Sequence, residues 1–343
     1  MTVCGASPAV ALCVPDPSVR FWRGVRPAVL KWMEEFKPDV VVTTGPPHSN
    51  HDIGLWLRRE RGVPWVADFR DPYLLDDRFG PKTPFQFMWP SHRRYERAIH
   101  EEASLVTHAI PVAARFWRLR SPVARKHIKV FTNACAPELA AGRIEPDVTP
   151  GHEAGRRSIR VIGQIGADQA LHLACAISSL VSAGRDLELR LIGFQPTTLK
   201  QIEQLLPDRV RCIKGLRHDL ALRQVAGADV LVSYLSPERA AYCGISSKLF
   251  EYLATEKPVI EVNPTGPDRQ LLRKLPDVVV LKSPTLEELT GALRRALDME
   301  KSGGGMSEAR RAFVCEHEWR TKVKQLAAWM EGIAGPPTPD ARG

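Results

Sequence analysis

The chain of 343 residues has no apolar run of eighteen residues, the length a membrane-spanning helix needs, although 44% of it is hydrophobic. That content suffices for proper cores, and the length predicts a soluble protein of two domains. A basic leader is missing too. The opening residues are apolar but soon meet Pro15-Asp16-Pro17, which argues against a secretory signal and predicts a cytoplasmic location. Paired cysteines are absent: Cys4, Cys13, Cys135, Cys175, Cys212, Cys243 and Cys315 are odd in number and scattered without a CxxC spacing. The pattern points to reduced thiols rather than disulfides or zinc. His48 and His51 have no downstream partner pair, so no metal is expected there. No nucleic-acid module signature occurs, and the basic residues are mixed with acids in most segments. What the charge does show is an excess of +9 and a pI near 9.3, which favours an anionic partner over nucleic acid: a nucleotide sugar, a lipid phosphate or an anionic leaflet.

Strand-like and helix-like stretches alternate along the chain, so the class is α/β with mainly parallel sheets. In a first half, Arg26–Phe36 is amphipathic, Asp39–Thr44 reads as a buried strand and Gly45-Pro46-Pro47-His48-Ser49 as a turn. A helix over His51–Arg61 ends at Gly62, and Val63–Asp68 is the next strand. Phe69-Arg70-Asp71-Pro72-Tyr73 follows at its C-terminal end, where α/β proteins place their sites. Pro90–Ala103 is a charged helix, and Ser104–His108 and His127–Thr132 are strands. Pro137, Pro146, Pro150 and Gly151 mark a linker. The second half restarts at the strand Ser158–Ile162 and its loop Gly163-Gln164-Ile165-Gly166, followed by a helix to Ala183. Leu187–Ile192, Val210–Ile213 and Asp229–Tyr234 are strands, Leu220–Ala226 and Leu286–Met299 helices, and one last helix spans Ser307–Ile333.

The most informative stretch is Gly244-Ile245-Ser246-Ser247-Lys248-Leu249-Phe250-Glu251-Tyr252-Leu253-Ala254. Gly244, Ser246 and Ser247 suit a helix start whose free N–H groups face a phosphate, and Lys248 adds a positive charge. Leu249, Phe250, Leu253 and Ala254 form an apolar face, Lys257-Pro258 stops the helix, and Val259-Ile260-Glu261-Val262 reads as a short buried strand.

This segment resembles the donor site of glycosyltransferase family 4, whose members are retaining enzymes of the GT-B fold. Pro38–His48, Pro64–Tyr73 and Gly163–Gly166 are similar to further motifs of that family, so the resemblance covers roughly residues 20–330. It implies two Rossmann-like parallel-sheet domains facing a cleft. The expected organisation is an acceptor-side domain over residues 1–135, a linker over 136–157 and a donor domain over 158–305. A C-terminal helix over 306–334 returns to the first domain, ahead of a disordered tail over 335–343. By resemblance the chain moves a sugar from a nucleotide-sugar donor to a hydroxyl of a glycan, a lipid-linked acceptor or a small molecule, with retention and without a required metal or cofactor. Glu251 would bind the donor ribose, while Lys248 and the loops around Gly163, Gly166, Gly244, Ser246 and Ser247 would face the diphosphate. Asp68, Arg70 and Asp71 would act as catalytic residues where acceptor and sugar meet.

The chain departs from the family pattern at several points. Cys243 stands where the first acid of a Glu-x7-Glu element belongs, Gln164 and Asp168 or Gln169 where an arginine and a lysine are usual, Ala134 after Asn133, and Glu256 for a glycine. Family members also open with further βα units before the position of the Arg26 helix, so an incomplete N-terminal sheet with an unpaired, self-associating edge is expected. A sugar-nucleotide epimerase of the same fold and a non-catalytic sugar-nucleotide-binding homologue are the alternative readings. Finally, Phe85–Tyr95 combines aromatics with Arg93 and Arg94; it reads either as a contact with an anionic leaflet or as a core helix start with a solvated face.

Overall fold

The computed structural model describes residues 13–73, 86–147, 156–234, 246–262, 272–301 and 305–335. The chain divides into two compact units, Met1–Thr132 with Val323–Gly343, and Asn133–Lys322.

The first unit is built on four parallel strands in the order β1-β2-β3-β4: Val41–Gly45, Trp65–Phe69, Leu105–His108 and Ile128–Val130. Thr43 aligns with Ala67, Ala67 with Val106 and Val106 with Ile128. Each crossover is a helix, as parallel pairing requires: α3 (Asn50–Arg61), α4 (Trp89–Glu102) and α5 (Pro111–Arg120). Gly62 ends α3 with a φ of 67°, its N–H donating to the Arg58 carbonyl at 3.1 Å. Proline in the first turn starts α4 and α5, where no N–H is needed. The core gathers Leu55, Trp65, Ala67, Phe69, Tyr73, Ile99, Val106, Trp117 and Ile128. Gly54 lets α3 lie directly on the Trp65 indole: a Cβ there would sit 2.0 Å from Trp65 Nε1.

Two further helices, α1 (Val19–Gly24) and α2 (Arg26–Phe36), precede β1. The amphipathic pattern of α2 does not become a buried face, since none of its residues is buried and Trp32 and Phe36 are 57% and 70% exposed. Among the described residues β1 pairs only with β2, and its Val42 is exposed.

The second unit carries six parallel strands: β5 (Arg157–Ile162), β6 (Leu187–Ile192), β7 (Val210–Ile213), β8 (Val230–Tyr234), β9 (Val259–Val262) and β10 (Val278–Leu281). Their spatial order is β10-β9-β8-β5-β6-β7. Counted within the unit this is the doubly wound order 3-2-1-4-5-6, whose switch point lies between β5 and β8. Helices α7 (Ala167–Ser182), α8 (Leu199–Leu205) and α11 (Leu286–Lys301) accompany it, as do α9 (His218–Ala226), α10 (Ser247–Leu253) and α12 (Glu308–Glu316). One core places Ile159, Val161, Val230, Val232, Ile260 and Val262 with α7 and α11; the other places Leu231 and Val259 with Leu249, Phe250, Tyr252, Leu253 and Phe313. The alternation along each strand sends successive side chains to opposite cores.

The structure corrects the sequence reading in places. The single helix expected over Ser307–Ile333 is two, α12 and α13 (Trp319–Ala334). The break follows from Cys135, whose N–H donates to the His317 carbonyl at 2.9 Å and whose carbonyl accepts from Trp319 N–H at 3.1 Å. These strand-like bonds use backbone groups that a continuous helix would need. Helices α5 and α8 and strand β10 were not foreseen, and the linker holds a short helix, α6 (Pro137–Ala140). No helix among the described residues is long and apolar enough to cross a membrane.

Candidate functional site

In a doubly wound sheet the loops leaving the two strands at the switch point diverge and open a crevice at their C-terminal ends. Here those strands are β5 and β8. β5 runs into Gly163, which holds a φ of 86° that a side chain would strain, and its N–H donates to the Ile192 carbonyl at 2.7 Å. Gly166 then caps α7 in extended conformation, and Gln169 Oε1 accepts its N–H at 3.1 Å.

After β8 the chain leads into α10. Gly244 and Cys243 lie outside the described residues. Ser246 occupies the cap position, but its side chain makes no capping bond; its carbonyl accepts from Leu249 N–H at 2.9 Å. Ser247 is exposed. With only seven residues α10 brings little dipole, so the positive charge at the crevice is supplied by Lys248. Its Nζ donates to the Gln164 carbonyl at 3.5 Å, and its Cδ lies 3.8 Å from where a Cβ on Gly163 would be. Burial pulls the Lys248 amine below the ordinary lysine range, and the charge of Glu261 works against that shift. The structure therefore brings Gly163 and Lys248 together.

Glu251 lies one turn along α10. Its Oε2 accepts the Ala136 N–H at 3.0 Å. Burial raises its carboxyl above the ordinary range; the Ala136 bond and His218 oppose the rise, and Glu138 adds to it. The helix is locked at its C-terminal end by two groups. The buried Tyr252 hydroxyl accepts Ile162 N–H at 2.7 Å, which ties α10 to the end of β5. The buried Arg310 donates to the carbonyls of Tyr252, Leu253, Thr255 and Lys257 and pairs with Asp277 at 2.9 Å. Neither residue stood out in the sequence. Glu261 was not singled out either, although an acid inside an apolar strand is a signal for it; the structure buries it completely.

In the first unit, Asp68 is the penultimate residue of β2. Its Oδ2 accepts from Thr44 Oγ1 at 2.8 Å and its Oδ1 from Thr107 Oγ1 at 2.6 Å, so strands β1 and β3 hold the carboxylate between them. Burial raises its carboxyl, opposed by both hydroxyls and by Arg70. Arg70 is exposed and donates to the Pro46 carbonyl at 2.8 Å; Asp71 is half-buried beside it in sequence. The three predicted residues thus share one strand end, with only Asp68 held by side chains.

Beneath that strand end lies a group the sequence did not announce. His48, His51, His92, His100 and His108 are all buried. His48 is stacked on Phe69 at 5.8 Å between centroids. His51 Nδ1 meets Thr43 Oγ1 at 2.8 Å, and Trp65 Nε1 donates to the same oxygen at 2.8 Å. Burial lowers the pKa of His51, His92 and His108, and holds His100 at about 3. Among the described residues no group of three His, Cys, Asp or Glu is arranged to hold a metal.

No family model and no curated protein matches the chain in sequence. Solved structures do. Sucrose-phosphate synthase from Thermosynechococcus elongatus superposes with a TM-score of 0.66 at 15% identity, over 92% of this chain and 79% of its own. The Anabaena protein HepE in complex with UDP gives 0.65 at 15% identity, over 90% and 83%. UDP-GlcNAc 2-epimerase from Neisseria meningitidis bound to UDP-GlcNAc gives 0.58 at 11% identity, over 93% and 83%. The chain has the GT-B fold, with two parallel-sheet α/β domains.

Proposed function

We propose that the chain is a retaining glycosyltransferase that binds a nucleotide sugar at the C-terminal ends of β5 and β8 and passes the sugar to a hydroxyl acceptor. The observation that carries this reading is the meeting of Lys248 with the Gly163–Gln164 turn at the switch point of a 3-2-1-4-5-6 sheet, with Glu251 one helical turn away. Lys248 neutralises the diphosphate, which can approach the backbone closely because Gly163 has no side chain. Glu251, with one oxygen oriented by Ala136 N–H, offers its other oxygen to the ribose hydroxyls. In the transfer the anomeric bond to the diphosphate breaks and a bond to the acceptor oxygen forms. The acceptor proton leaves to a phosphate oxygen, with Asp68, Arg70 and Asp71 orienting the hydroxyls. Retention rests on the family resemblance. Neither a metal nor a cofactor is needed where Lys248 and N–H dipoles balance the charge.

Thermal unfolding with UDP-, GDP- and ADP-sugars tests the donor site: a true donor at a hundred times its Kd stabilises by about 2.7 kcal/mol. No stabilisation by any of them defeats the reading.

A GT-B sugar-nucleotide epimerase is the second reading, supported by the epimerase among the similar folds. Free UDP released without an acceptor, together with an altered sugar, distinguishes it. The departures at Cys243 and Gln164 favour a non-catalytic binding homologue, which binds without turnover.

The proposed setting is the cytoplasm, with a peripheral contact to an anionic leaflet near a lipid-linked acceptor. Supporting it are Phe87, 63% exposed, and the exposed Arg93 and Arg94 on the first turns of α4. Equal sedimentation with anionic and neutral vesicles removes that contact.

A further inference from the structure

Glu261 lies on a central strand of the six-stranded sheet and is 0% exposed. On β9, Ile260 and Val262 belong to the core under α7 and α11, and Val259 to the core under α10. The alternation of the strand puts Glu261 on the face of Val259, the face that Leu249, Phe250, Tyr252 and Leu253 cover. It is the third residue of β9, near its C-terminal end, in register with Ser233 of β8 and Val280 of β10. A carboxylate on such a face needs a matching cation, because an uncompensated buried charge costs several kcal/mol.

Among the described residues the other charges of this region are committed elsewhere, Arg160 of β5 donating to Ser158 and Gln224. Arg310 is taken by Asp277 and backbone carbonyls at the far end of α10, and Glu251 is turned to Ala136 and His218. Lys248 remains, on the first turn of α10 above the C-terminal ends of the strands. The groups around it are the Gln164 carbonyl from the turn after β5, Glu261 from β9 and, on its own helix, Tyr252 bound to Ile162. Glu261 is the charged one. Its field favours the ammonium form, which burial of the lysine disfavours, and it also bears on the Tyr252 phenol.

We infer that Glu261 is a positioning residue: its carboxylate keeps the Lys248 ammonium charged and aimed at the Gly163–Gln164 turn, where a nucleoside diphosphate is neutralised. This rests on the donor site proposed above and adds its electrostatic support. The lysine amine, half-buried against the sheet, would give up its proton more readily without a fixed negative charge behind it. A phosphate-binding lysine that can lose its proton works only over part of the pH range; a buried counter-charge widens that range while occupying no space in the crevice.

The experiment has two arms on the full chain. The first follows the ε-methylene signal of Lys248 in lysine-labelled protein without ligand, assigned by its disappearance in Lys248→Arg. Glu261→Gln is expected to move the Lys248 titration to lower pH, and Glu261→Asp, which keeps the charge but withdraws it by one methylene, to move it the same way by less. An unmoved titration overturns the pairing. The second arm measures UDP affinity against pH. Glu261→Gln is expected to bring the alkaline loss of affinity to lower pH, with about tenfold weaker binding on that limb and little change where Lys248 is charged in both proteins. In a Lys248→Arg background, where the cation cannot lose its proton, Glu261→Gln should leave the profile unmoved. A uniform loss at every pH, following a lower melting temperature, shows a merely structural acid and overturns the inference. Absence of UDP binding in the wild-type chain, with the Lys248 titration still shifted by Glu261→Gln, overturns the donor site and leaves the pairing standing.

Discussion

In the first unit five histidines are buried, four of them against Phe69, whereas the second unit buries ions: Arg190 beside Glu188, Arg310 on Asp277, and Arg160 among Ser158 and Gln224. The two solutions respond to protons at different pH. His100 Nδ1–H donates to the Glu96 carbonyl at 2.8 Å, so its Nε2 must accept from His108 Nε2–H at 2.9 Å. That contact needs an acceptor nitrogen on one ring and is lost when both rings are protonated, which sets two N–H groups against each other. Ion pairs in the second unit instead require charge on both partners and persist until the carboxylates themselves are protonated. Neutral rings beneath one strand end and fixed charges in the other unit are thus two ways of keeping polar groups inside a core.

Acid is the strongest way to break this comparison. The buried histidines have folded pKa values below their ordinary one, so the folded unit binds fewer protons than the unfolded chain. Their contribution to stability is complete above pH of about 6.5 and is lost as pH falls toward the folded values, about 3 for His100. Each histidine that charges only on unfolding costs about 1.4 kcal/mol per pH unit in that window. Four of them, His51, His92, His100 and His108, lie in the first unit, against His317 in the second. Amide exchange at falling pH should therefore open the β1–β4 sheet while the β5–β10 sheet stays protected. Simultaneous opening of both sheets would show that the contrast has no energetic weight.

The converse break is Arg310→Met. It leaves Asp277 without its cation and frees four carbonyls at the end of α10, with an expected loss of about 3–5 kcal/mol confined to the second unit. Urea unfolding read by exchange in β8 and β9 measures it, and an unchanged midpoint refutes the lock. Gly54→Ala is the matching lesion in the first unit. Its methyl collides with the Trp65 indole, and about 1–3 kcal/mol should disappear from that unit, visible in tryptophan fluorescence melts.

Smaller effects sharpen the functional side. Glu251→Gln should weaken nucleotide-sugar binding about tenfold with the melting temperature unchanged, since it removes charge-assisted hydrogen bonds rather than packing. Unaltered affinity in calorimetry removes Glu251 from the donor site. Asp71→Asn should leave donor affinity as it is and slow transfer by about tenfold, as expected of a group on the acceptor side. Equal loss of donor binding would move Asp71 out of that role.

Much of the second unit was legible because its signals are local. The Gly163 turn, the run from Ser247 to Leu253 with its apolar face, and the stop at Lys257-Pro258 each span a few residues, and the helix and strand they announce are present. In the first unit the Gly62 stop and the prolines of α4 worked the same way. Pro111–Arg120 escaped because arginines interrupt its apolar period, and Val278–Leu281 because four residues make too short a run to separate from a loop. The break at His317 could not be read at all, since the backbone that causes it belongs to Cys135, far away in the chain.

What the sequence by itself determined is the alternation of strands and helices, the α/β class and the small-residue loop with its lysine, because propensity, capping and spacing act over a turn or two. Only the tertiary structure decided the order of the six strands and hence the switch point where Gly163 and Lys248 meet. It also decided that Glu261 lies on the face beneath α10, that Arg310 ties down that helix from another segment, and that histidines from α3, α4, β3 and the turn after β1 converge on Phe69. The reason is physical: a charge is strong or weak, and a ring neutral or ionised, according to what surrounds it in space, and those neighbours arrive from parts of the chain that share no local pattern.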